Sequence, residues 1–75
     1  MEEVLRIMIE NLVDEKKSVF IKTREEDGKE IYTIRVAEEE MGKIIGRQGK
    51  IAKAIKVIAK ALAAKEGKRI EIEFP

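Results

Sequence analysis

The chain has 75 residues, no cysteine, no histidine and 41% charged side chains. That length supports one small core near the lower limit for independent folding. The missing residue types exclude disulfides, argue against a zinc site and leave neither thiol nor imidazole for catalysis. The net charge of +1 hides a polarised distribution: residues 1–42 carry 7 basic and 12 acidic side chains, whereas residues 43–69 carry 9 basic and 1 acidic. A local positive field of this kind suits a phosphate-bearing partner, although a solvated lysine face would give the same pattern. Lys and Glu dominate while Asn, Gln, Ser and Thr are scarce, a bias that fits a thermophile protein or an idealised, engineered sequence. The start of the chain lacks a basic, then apolar, leader and no window has the apolar length of a membrane span, so a cytoplasmic protein with no membrane partner is expected.

In chain order, Val4, Leu5, Met8, Ile9 and Leu12 recur at helical spacing and predict a helix over residues 2 to about 13, with Glu2 and Glu3 complementing its dipole. Ile7 points off that stripe. Residues 14–18 are polar and read as a connection. Residues 19–24 and 31–36 are rich in β-formers and are separated by an Asp27-Gly28 pair, a strong hairpin signal. In the second strand Tyr32, Ile34 and Val36 alternate with Thr33 and Arg35, so one face is expected to be buried. Tyr32 is assigned to the core with its hydroxyl at the rim, not to base stacking. Residues 37–45 suggest a short helix whose opening Glu38-Glu39-Glu40 is explained by the helix dipole. Residues 50 to about 66 predict a long helix ended by Gly67, with Ile51, Ile55, Ile58 and Leu62 as its central stripe, alanines on both flanks, and Lys53, Lys56 and Lys60 on the remaining face. Its wide apolar arc implies more than one packing neighbour, within the domain or across an oligomer. Residues 69–74 alternate as a last strand with Ile70, Ile72 and Phe74 inward.

The order α-β-β-α-α-β gives an α+β fold, one domain over residues 1–75 with helices on one face of a three-stranded mixed sheet, the last strand expected to run parallel to the first. Between the last two helices lies Ile44-Ile45-Gly46-Arg47-Gln48-Gly49-Lys50-Ile51. A G-x-x-G alone is weak. Flanked by a short helix, an apolar pair, a basic residue and a long helix, it resembles the KH domain signature, and the element order resembles the type II KH arrangement over nearly the whole chain. The resemblance is nearest to small stand-alone bacterial KH proteins of the KhpA type, best over residues 35–72.

That resemblance implies a non-enzymatic module that binds single-stranded RNA, or single-stranded DNA, and clamps about four nucleotides with its G-x-x-G loop. It also implies a role as RNA chaperone or post-transcriptional regulator and the capacity to form a homodimer, or a heterodimer with another KH protein. The residues fit such a role. Gly46 and Gly49 let a phosphate backbone approach without a Cβ in the way, and Arg47 and Gln48 offer one charge and one hydrogen-bonding group. The start of the following helix near Lys50 favours an anion, with Lys43 and Lys53 adding attraction. Ile44, Ile45 and Val36 are candidates for an apolar groove under the bases. Aromatics are only 4% of the chain, so stacking platforms are absent and shape outweighs sequence readout. The rival reading is a dimeric interaction or scaffold domain built on the alanine-rich helix face, with weak or no nucleic-acid binding. An enzyme finds no support, since Ser18 is the sole serine and no nucleophile–base pair, phosphate-loop motif, metal set or cofactor site is apparent.

Overall fold

Asp27 and Gly28 both adopt positive φ, 50° and 78°, the combination a two-residue type I′ turn requires. They join strand β1 (Phe20–Glu26) to strand β2 (Lys29–Arg35) in an antiparallel pair whose register runs from Glu26 opposite Lys29 to Phe20 opposite Arg35. The computed structural model describes residues 1–75 and adds helices α1 (Glu2–Glu10), α2 (Met41–Ile45) and α3 (Lys50–Lys65) and strand β3 (Ile70–Glu73). Short 3₁₀ turns occupy Lys16–Ser18, Glu38–Glu40 and Arg47–Gly49. The sheet order is β1-β2-β3, and β3 pairs with β2 in parallel. The result is the mixed three-stranded sheet of a type II KH-like fold.

One orientation differs from the sequence expectation. Because β3 parallels β2, it opposes β1. The expectation treated the two helices as an antiparallel pair whose travel cancels. In fact α2 has 5 residues and α3 has 16, so α3 alone carries the chain back to the starting end of β2. The pair therefore acts as one crossover between neighbouring parallel strands.

The core gathers one side of each helix and of strands β2 and β3: Leu5 and Ile9 of α1, Val13 and Val19 beside the first connection, Tyr32 and Ile34 of β2, Ile44 of α2, Ile55, Ala59 and Ala63 of α3, and Ile70 and Ile72 of β3, while β1 adds only the half-buried Ile21. Tyr32 is buried and its hydroxyl donates to Glu30 Oε2 at 2.7 Å. Burial first, and that carboxylate second, push the phenol up to about 12. On α3 the stripe is rotated from expectation. Alanines at 59 and 63 lie innermost with Ile55, while Val57, Ile58 and Leu62 are between 38% and 63% exposed. Small side chains allow the helix backbone to approach the sheet closely, so it settles on its alanine side and leaves larger residues outside.

Helix α1 stops at Glu10, three residues earlier than its apolar spacing suggests. The Asn11 side chain donates to the Ile7 carbonyl at 2.6 Å, and the backbone N–H groups of Asp14 and Glu15 are drawn away to Glu40. The end of α3 follows expectation: Gly67 has φ 71°, its N–H donates to Ala64, and Lys68 N–H donates to Ala63, which together make a Schellman motif. On the helix-free face of the sheet, Arg24 spans from β1 to β3 with two bonds to Glu73, at 3.0 and 3.1 Å, and a third to Glu26 at 2.8 Å.

Candidate nucleic-acid interface

Helix α2 is too short to be stable by itself, so both of its ends must be held. At its start Glu40 is buried, the one charged side chain in that class. Its carboxylate accepts Asp14 N–H at Oε1 (2.7 Å) and Glu15 N–H at Oε2 (3.0 Å). Lys43, one turn on, bonds both Glu40 and Asp14. The Asp14 backbone N–H, more than any other group, holds the Glu40 carboxyl below the usual glutamate range. Bonding to Asp14 likewise raises the Lys43 ammonium above its usual value. Glu40 thus ties the connection after α1 to α2, and it does not serve chiefly as a complement to the helix dipole.

At its other end α2 runs into the glycine turn. Gly46 N–H closes the helix onto Gly42 O at 2.9 Å, and Gly46 itself has φ 71°. A Cβ built at Gly46 would stand 2.6 Å from Ile51 Cγ1 and 2.9 Å from Ile51 Cβ, so glycine is required for space as well as for conformation. Gln48 (φ 56°, ψ 26°) and Gly49 (φ 72°, ψ 14°) are both left-handed. A Cβ at Gly49 would meet nothing within 4 Å. The turn is therefore wedged onto α3 at Gly46 and opens to solvent at Gly49. No side chain caps the start of α3, and that end carries the positive pole of a 16-residue helix.

The expected site residues divide into three sets. Arg47, Gln48, Lys50 and Lys53 are exposed around the turn, and none has a side-chain hydrogen bond or ion pair. Lys43 is exposed in part but already committed to Asp14 and Glu40, which removes it from the free positive charge of the site. Ile44 is fully buried in the core and cannot face a ligand, whereas Ile45 is 40% exposed. Successive helical positions point about 100° apart, and here the core takes Ile44 while Ile45 is left facing outward. Val36, half-buried, lines a cavity of about 220 Å³ with Arg35, Glu38, Met41 and Pro75. Ile45 lies outside that lining, so the two apolar candidates do not share one cavity. Two contributors escaped sequence reasoning. Ile51 braces Gly46, which its place just after the motif could have suggested. The tie from Glu40 to Asp14 and Glu15 crosses more than twenty residues, and only the buried carboxylate gives it away.

The family model described as the KhpA/KhpB KH domain matches residues 2–74. The RNA-binding protein KhpA of Clostridium perfringens is 40% identical over 74 residues, covering 99% of both chains. Its counterpart in Listeria monocytogenes is 40% identical, covering 99% of this chain and 97% of the relative. That of Aquifex aeolicus is 34% identical, covering 99% and 94%. Among solved structures, the crystal structure of Aquifex aeolicus Era Y63A bound to GDP.AlF4- superposes with a TM-score of 0.65 at 25% identity, over 96% of this chain and 28% of that one. With the glycine turn, its flanking helices and the mixed sheet all in place, the chain belongs to the KhpA/KhpB family of KH domains.

Proposed function

We propose that the protein binds single-stranded RNA, gripping about four nucleotides at Gly46-Arg47-Gln48-Gly49, as a module that chaperones RNA or regulates it after transcription. Single-stranded DNA is the alternative strand. The observation that carries this reading is the open corner itself. Three of its four residues have positive φ, it sits at the uncapped positive end of α3, and Arg47, Lys50 and Lys53 beside it have no carboxylate of their own. A phosphate there would meet backbone at close range and find Arg47, Lys50 and Lys53 unneutralised, so binding would release counterions without first breaking an internal ion pair. Bases would pass over Ile45 and toward the Val36 cavity, with no aromatic platform. The relatives' shared description as RNA-binding proteins supports the same reading, as does the absence of any histidine or cysteine for chemistry.

The test is Arg47→Asp combined with Gln48→Asp. Aspartate tolerates the left-handed conformation at position 48, so thermal stability should hold while RNA affinity is lost. For the unaltered protein and a tetranucleotide, two or three neutralised phosphates give a log–log salt slope of about −1.4 to −2.1. RNA affinity that survives the double substitution would refute the assignment.

A second reading is favoured by one observation. Val57, Ile58 and Leu62, with Ala54 and Ala61 beside them, form an exposed apolar stripe at helical spacing on the outer side of α3. A self-complementary stripe of this kind suits a dimer, with a second copy or with another KH protein. Ile58→Asp should then halve the mass seen by sedimentation and leave the monomer folded. An unchanged mass, or a protein monomeric throughout, removes that reading without touching the glycine turn.

A further inference from the structure

The far end of α3 carries a second concentration of positive charge that the glycine turn does not explain. Lys29, Lys60, Lys68 and Arg69 surround an open cavity of about 290 Å³ with Ile70 and a single carboxylate, Glu71. Glu71 is shared, reaching Lys60 Nζ at 3.1 Å and Lys29 Nζ at 3.8 Å. Lys68 and Arg69 have no acidic partner. Four cations against one carboxylate repel one another, and the imbalance is relieved by an incoming anion. Nor is the loop free to spread them apart. Lys68 N–H is held by Ala63 O at 2.9 Å in the Schellman turn, and Arg69 O accepts Glu30 N–H at 3.0 Å from the neighbouring strand. The cations are presented from fixed backbone.

The space between the two basic ends is also positive. Lys56 Nζ lies 5.9 Å from the Phe74 ring centroid and Lys60 bonds Glu71, which sets the lysine face of α3 beside the free edge of β3. Cations therefore continue from Lys50 and Lys53 through Lys56 and Lys60 to Lys68 and Arg69, over a helix about 24 Å long. We infer that the cluster of Lys29, Lys60, Lys68 and Arg69 is a second phosphate-binding site, in which Lys68 and Arg69 supply the uncommitted charge while Lys29 and Lys60 stay with Glu71, and which holds the backbone of the same single strand beyond the nucleotides gripped at the glycine turn. The inference rests on the RNA-binding reading above. A nucleic-acid backbone suits the cluster better than an acidic peptide does. Its only apolar lining residue, Ile70, is buried, so there is no pocket for a side-chain anchor, whereas a lysine row ending in an arginine fork matches a chain of phosphates.

The experiment measures binding of a tetranucleotide and of a strand long enough to span α3, to the unaltered protein and to the double substitution Lys68→Gln, Arg69→Gln. The long strand should lose about tenfold in affinity and its salt slope should become shallower by about 1.4, the effect of two lost phosphate contacts. The tetranucleotide should bind as before. A matched change elsewhere, Lys16→Gln with Lys17→Gln, should alter neither. Unchanged long-strand binding overturns the inference, as does an equal loss for both lengths or from the matched control, since that is the effect of net charge alone. Loss of poly-glutamate binding with RNA binding intact would assign an acidic peptide instead and also overturn it. Failure of the unaltered protein to bind either strand, or tetranucleotide binding that survives Arg47→Asp with Gln48→Asp, would instead strike the reading of the glycine turn.

Discussion

The two caps of α2, Glu40 and Gly46, have only five residues between them and manage charge in opposite ways. At the Glu40 end the buried charge is fully partnered: the carboxylate holds two backbone N–H groups and Lys43, and Lys43 also reaches Asp14. At the Gly46 end Arg47, Lys50 and Lys53 have none. A charge already satisfied inside the protein gives up that partner to meet a ligand, whereas an unsatisfied one gives up only water. Lys43 and Lys50 are both lysines flanking the same motif, yet the first belongs to the fold and the second is available for binding. Counting cations around a motif overstates the field that a ligand meets.

The largest effect that would sharpen this contrast comes from the apolar pair between the two ends. Ile44→Ala should cost about 3–4 kcal/mol of stability by opening a cavity in the core. Ile45→Ala should cost less than about 0.5 kcal/mol, as exposed substitutions do, and should weaken RNA binding instead. Urea denaturation of both variants reads the difference, and equal destabilisation would show that the pair is not split between core and surface.

Next in size is the glycine pair. Gly46→Ala combines a positive φ with a clash against Ile51 and should cost about 2–3 kcal/mol. Gly49→Ala meets the same conformational penalty in open space, for about 1 kcal/mol. Similar melting temperatures for the two variants would mean that Ile51 does not wedge the turn.

The smallest effect concerns pH. Glu40 has its folded pKa lowered, chiefly by the Asp14 N–H, so its contribution is fully present above the ordinary glutamate value of about 4.3 and is lost as pH falls toward its lower folded value. Glu71 and Glu73, lowered first by Lys60 and Arg24 respectively, act in the same direction. Glu40→Gln should therefore reduce stability at neutral pH, because an amide cannot accept both N–H groups, and should make the acid limb shallower without abolishing it. If the variant keeps the full slope between neutral pH and pH 3, the tie between Glu40 and the first connection contributes nothing.

Much of this molecule could be read from the chain before its tertiary structure was known. The Asp27-Gly28 turn, the Gly67 helix stop, the alternating second strand and the buried Tyr32 all follow from local rules that involve residues within a few positions of one another. The G-x-x-G corner was visible for the same reason, since its conformation is dictated by two glycines and the helices beside them. What could not be read depends on partners distant in sequence. Leu12 kept its helical spacing, but α1 ends before it because Glu40, far along the chain, claims the backbone beyond.

The sequence by itself determined which elements form and where the sharp corner lies, because helical and strand periodicity, turn conformation and helix ends are set by short-range sterics and hydrogen bonding. Only the tertiary structure decided which face of α3 is buried, which of Ile44 and Ile45 is presented, that β3 lies against β2 in parallel, and that Lys43 is already neutralised. Each of those outcomes rests on the path α3 takes across the sheet, on close packing that favours alanine over isoleucine, or on a carboxylate meeting a lysine across the fold. These are distances in space, and a sequence records only the order in which the residues come.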